Sequence, residues 1–214
     1  MSSSGGGAGM ASVPSIKGSI FAFAAEDLAK LVSVGKISAH ELGHRLEPAD
    51  RALLDQPIQF TGWYPVAVYA RILELLWQFE GGGSIAYLKQ RGVRSAERLI
   101  QAGIYAQMEY LNRVQVEKAV DPRERFLAFG RDLRLLTTLS GSILNFSRWQ
   151  AKPDAEHADR YLIEVSEAEA YPELLCWTTD GWINRMASEH GEGELWRWKR
   201  PRPDLIVFEM TRSI

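Results

Sequence analysis

Apolar positions recur every three to four residues through the first two-thirds of the chain and every second residue through much of the rest. The stretch KGSIFAFAAEDLAKLVSVG has helical spacing and stops at Gly35. A short helix follows and ends before Pro48, which opens a further turn, EPADRALLD, as an N1 proline. Pro65 suits the same position in the next helix. There Val68, Ile72, Leu75, Leu76 and Phe79 form one stripe, and Arg71, Glu74 and Gln78 face the other way. EGGGS at 80–84 ends that helix. A longer helical region runs from about Ser84 to Lys118, with Gly92 and Gly103 as candidate bends. Asp121-Pro122 starts another helix, its buried side carrying Phe126, Phe129, Leu133 and Leu136.

Near Gly141 the period shifts to two. SILNFSRW reads as a strand, KPDAEHAD as a hairpin loop, and YLIEVS as a strand with Tyr161, Ile163 and Val165 on one face. YPELLCWTTDGWINRMASEHG reads as a helix between Pro172 and Gly191. ELWRWK sets Trp196 and Trp198 against Leu195, Arg197 and Lys199. RPRPD reads as a turn, and DLIVFEM sets Ile206, Phe208 and Met210 on one face. Segregated elements predict an α+β fold: a helical part over about 16–140 packed on an antiparallel sheet over about 141–214, in the order strand–strand–helix–strand–strand. Residues 16–214 then form one domain. Residues 1–15, rich in Gly and Ser, read as a disordered tail in which Met10 offers an alternative start.

Composition narrows the function classes. In 214 residues, 46% are hydrophobic and 24% charged, which suffices for a core. A net charge of −2 gives no electrostatic reason to expect nucleic acid or an anionic membrane. One cysteine, Cys176, permits no internal disulfide or Cys-rich metal cluster. No apolar run reaches the roughly 20 residues of a membrane helix, and the N-terminus lacks a signal-peptide pattern. These features lead to a cytoplasmic expectation.

The stretch SAHELGHRL, 38–46, contains the H-E-x-x-H pattern of zinc peptidases. In that reading His40 and His44 bind zinc from one helix face, Glu41 is the general base and Asp50 the third ligand. The extended pattern fails at its glycine, which is Glu47 here. A second reading uses the same letters. Ser38 and Glu41 form a capping box, employing Glu41 structurally and placing His40 in the first helical turn. That reading is preferred, and no metal or other cofactor is expected.

GWYP, 62–65, sets an aromatic pair before a helix. Trp63 and Tyr64 can form a ligand-facing lip, with Tyr69 one turn further on, or a staple that packs the entry loop. The preferred reading is the staple. EGGGS lacks the Lys-Ser/Thr of a phosphate loop. Cys176 reads as a small core residue. His157 falls in a polar loop and His190 near a helix end, neither requiring catalysis. Trp177, Trp182, Trp196 and Trp198 read as sheet-on-helix core, and RWKRPRP as a solvated basic hairpin.

The helical front half and the closing strand–strand–helix–strand–strand order resemble the architecture of heme–nitric-oxide-binding domains, vinyl-reductase-type sensor domains and small subunits of Golgi tethering complexes. IKGSIF, LEPADRALLD, WYPVAVYARILELL and YLKQRGVRSAERLIQAGIY resemble a paralogue-rich family of gliding social bacteria, over nearly the whole chain after Ser15. The resemblance implies a pocket between helices and sheet, and a homodimer. It does not carry heme, because the Tyr-x-Ser-x-Arg motif is missing, nor the cysteine clusters of metal-binding sensors. The expected function is a non-enzymatic module sensing an apolar small molecule or engaging a protein partner, its pocket lined by the helix after Pro65 and the C-terminal sheet. A zinc metallopeptidase and a structural or assembly subunit without ligand are the alternatives.

Overall fold

The structure is a computed structural model and describes residues 13–101, 121–188 and 191–214. Among them are the helices α1 (Gly18–Ser33), α2 (Ala39–Arg45), α3 (Pro48–Leu54), α4 (Val66–Phe79), α5 (Ile85–Gln101), α6 (Pro122–Ile143) and α7 (Glu173–Ser188). The strands are β1 (Ser15–Lys17), β2 (Trp63–Pro65), β3 (Arg148–Pro153), β4 (Tyr161–Ser166), β5 (Trp196–Arg202) and β6 (Leu205–Met210). β1 and β2 make a short antiparallel ribbon. The other four form an antiparallel sheet in the order β3-β4-β6-β5. The fold is therefore α+β, with helices concentrated ahead of a C-terminal sheet. No helix among the described residues is long and apolar enough to cross a membrane.

The alternation in β4 and β6 explains how the sheet is used. Ile163 pairs with Phe208 and Val165 with Ile206, and all four are fully buried on the inner face. Each such side chain contributes about 1.5–3 kcal/mol through removal from water. On the outer face Lys152 bridges Glu164, and Lys199 bridges Glu209. One face is thus packed and the other charged, as antiparallel sheets allow. Helices α6 and α7 cover the inner face. Phe126 stacks on Tyr161 at 4.3 Å between ring centroids, and Phe129 on Trp196 at 6.3 Å. Asn184 of α7 accepts from the Trp196 amide at 2.8 Å and donates to its carbonyl at 3.1 Å, tying the helix to the start of β5.

Among the described residues, helices α5 and α7 meet along the most extensive interface between two elements. A Cβ on Gly92 would lie 1.9 Å from the Thr178 carbonyl oxygen, and one on Gly181 would lie 1.9 Å from that of Lys89. Each glycine receives the other helix's backbone, so neither position can hold a side chain. Beside the crossing, Lys89 reaches the buried Asp180 at 2.9 Å. On its other side α5 is tied to α1 and to the end of α4. The buried Arg91 donates to Asp27 at 2.9 Å and to the Tyr87 hydroxyl at 3.1 Å, and Tyr87 donates to Glu80 at 2.5 Å. Burial, reinforced by the Glu80 hydrogen bond, pushes Tyr87 up to about 12.

Several boundaries differ from the sequence expectation. SILNFSRW is not one strand: α6 continues to Ile143, Leu144 makes an isolated bridge to Ile16, and β3 starts at Arg148. RPRPD is not wholly a turn, because β5 runs through Arg202. Helix α4 starts at Val66, with Pro65 at its N-cap rather than at N1. The expected region past residue 101, including Gly103, lies outside the described residues, as do most of the expected tail and His190.

Candidate functional site

The H-E-x-x-H segment folds as α2, and its capping box forms. Ser38 Oγ accepts from the Glu41 amide at 3.1 Å, and Glu41 Oε2 accepts from the Ser38 amide at 2.8 Å. These bonds hold the exposed Glu41 carboxyl below its ordinary value, the Ser38 backbone bond being the main cause. Glu41 therefore serves the helix end and not the space beside the histidines. His40 and His44 are exposed on one face, their Nε2 atoms 3.1 Å apart.

Asp50 does not join them. It is buried, accepts from the Glu47 amide at 3.0 Å as half of a second capping box, and takes a two-pronged ion pair from Arg71 at 2.7 and 2.8 Å. Its oxygens are thus committed to the α3–α4 contact, which removes the third ligand that the peptidase reading requires. Among the described residues no group of three or more His, Cys, Asp or Glu side chains could hold a metal. Arg71, expected on the solvent side of α4, is drawn half-inward by this pair.

The aromatic candidates part company. Tyr64 is buried, stacks on Phe21 of α1 at 4.6 Å and accepts from the Gln59 amide at 2.7 Å. It fastens the loop onto α1, whose first amides, Gly18 and Ser19, donate to the Gly62 and Phe60 carbonyls. Trp63 remains 44% exposed, with Lys17 Nζ 4.3 Å over its ring. Tyr69 is buried in the core, and burial raises its hydroxyl above the ordinary value. The three do not converge on one lip.

A different constellation lies where α7 meets the edge strand β5. Alternation along β5 turns Trp196, Trp198 and Arg200 inward. Trp198 meets Trp177 edge-on at 5.0 Å, and Lys89 Nζ lies 5.5 Å over the Trp177 ring. Arg200 Nη2 donates to the Tyr171 carbonyl at 2.6 Å and approaches Cys176 Sγ at 3.6 Å. Burial pushes the Cys176 thiol up to about 11 despite the nearby guanidinium, so it stays protonated and unreactive at neutral pH. Two donors in this corner, Trp198 Nε1 and Arg200 Nε, are buried without a hydrogen-bond partner among the described residues. Each costs about 1–3 kcal/mol if left unpaired.

The corner sets these two donors beside a pair of indole rings in mutual contact. It holds no activated nucleophile. Its residues were read from the sequence as core and as solvated hairpin. The signal that could have joined them is the two-residue period itself, which puts Arg200 on the face of Trp196 and Trp198. The chain matches no protein-family model, no curated protein and no solved structure.

Proposed function

We propose that the chain is a non-enzymatic binding module whose ligand is seated between α7 and β5. The ligand is a small, largely apolar molecule carrying a hydrogen-bond acceptor such as a carboxylate. The observation that carries this reading is the pair of N–H groups of Trp198 and Arg200, buried without a hydrogen-bond partner among the described residues, with the Trp177 ring edge-on to Trp198. Ligand sites combine apolar walls with a few placed polar groups in this way. The position, between a helix and the sheet, is also where the resemblance to small-molecule sensor domains implies a pocket. The helix expected to line it, α4, instead makes its larger contacts with α1 and α7.

The test is a thermal-shift and tryptophan-fluorescence screen with a panel of aromatic carboxylates. A saturable response is expected from the wild type, weakened about tenfold or more in Trp198→Phe, as the loss of one hydrogen bond worth ~1.4 kcal/mol would give. Arg200→Lys, which keeps the charge and loses the Nε donor, should weaken it similarly. A flat screen, or a response unchanged in both variants, removes the reading.

A second reading, a protein-interaction surface, has its own observation. Phe60 is 58% and Trp63 44% exposed around the β1–β2 ribbon. Self-association or partner binding lost in Phe60→Ser/Trp63→Ser, with the α7–β5 corner intact, would favour it.

A further inference from the structure

The geometry points to a two-histidine chelate on α2 for a divalent transition-metal ion, formed by His40 and His44 and independent of the α7–β5 corner. The two Nε2 atoms are 3.1 Å apart, with the rings edge-on at 4.4 Å between centroids. With metal–nitrogen bonds of about 2.0–2.1 Å, that separation subtends roughly 95–100° at a shared ion. The angle falls between the roughly 90° of adjacent square-planar positions and the ~109° of a tetrahedron. In the ion-free pair one Nε2–H donates to the other ring's Nε2, and an ion would displace that proton and replace the hydrogen bond. Both side chains are exposed, so an ion enters freely and keeps its remaining positions for water or another exogenous donor.

The helix that carries the pair is short, but both of its ends are fixed. Ser38 and Glu41 close the first turn. At the other end Leu46 is buried, Arg45 pairs with Glu74 of α4 at 3.6 Å, and Asp50 is clamped by Arg71. The helical backbone beneath His40 and His44 is therefore set before any ion arrives, which lowers the ordering cost of binding. Glu41 is turned to Ser38 and Asp50 to Arg71, so among the described residues neither base nor third ligand accompanies the pair. The site is one for holding an ion, not for hydrolysis. Two imidazole nitrogens and open positions favour borderline ions, Cu²⁺ most tightly, with Ni²⁺ and Zn²⁺ behind it.

The measurement is calorimetric titration of the full chain with Cu²⁺, backed by electron paramagnetic resonance for nitrogen ligation. One ion per chain is expected, with nitrogen hyperfine structure. His40→Ala and His44→Ala should each weaken binding tenfold or more while leaving the far-ultraviolet circular dichroism unchanged. His157→Ala and His190→Ala serve as controls and should bind as the wild type does. Absence of binding in the wild type, unaltered binding in His44→Ala, or loss of the site in either control would each overturn the assignment.

Discussion

The α5–α7 pair and the α2–α3 corner are held together by opposite means. At the α5–α7 crossing, backbone meets backbone through Gly92 and Gly181, and the surrounding side chains, Leu88, Cys176 and Ile183 among them, are fully or almost fully buried. Helix α2 buries none of its own residues. It persists through its own capping box and the Arg45–Glu74 pair to α4, while the adjoining α3 has a second box and the Asp50–Arg71 pair. One region is specified by shape at long range, the other by hydrogen bonds between residues three apart. Substitutions should therefore act globally in the first and locally in the second.

The largest effect is expected at the crossing. Gly181→Ala puts a methyl into the Lys89 backbone and should destabilise the fold by about 3 kcal/mol or more, since the helices must separate. Cys176 reports on this directly. Its buried, protonated thiol should resist alkylation in the native wild type, and labelling should accelerate by roughly a hundredfold in the variant. An unchanged labelling rate would mean that the helices do not depend on that contact. Asp50→Ala comes next. It leaves Arg71 without its buried partner and should cost about 2 kcal/mol by chemical denaturation, below the fully buried case because Arg71 keeps some solvent contact.

Ser38→Ala should remove amide protection across α2 while lowering the global free energy of unfolding by less than ~1 kcal/mol. A large global shift would show that α2 is part of the core after all. His44→Ala should be the mildest, within ~0.5 kcal/mol in metal-free buffer, because the residue is exposed.

The same contrast explains what the sequence disclosed. The Ser38–Glu41 box and the Asp121 helix start could be read because both partners lie within one turn, and both form. The inward face of β4 followed from strict alternation, and that of β6 from Ile206, Phe208 and Met210, although Val207 between them is buried as well. The ribbon β1–β2 did not, since three residues are too few to display a period. Asp50 was available as a metal ligand on paper only because Arg71, its real partner, lies twenty-one residues away on another helix. Gly92 invited the reading of a bend, whereas it and Gly181 are the contact surface of two helices. Arg200 looked like part of a solvated loop because Pro201 and Pro203 after it suggest a turn, while β5 continues through Pro201 to Arg202.

The glycine crossing has a mechanical consequence. Interfaces built from long side chains have slack, because rotamers can absorb a small displacement of one helix before the other feels it. At Gly92 and Gly181 no such cushion exists, and the peptide planes bear on each other directly. A push on α7, which carries Trp177 and Cys176, is therefore handed on to α5 as to a rigid strut. From there it reaches Arg91, which grips Asp27 on α1.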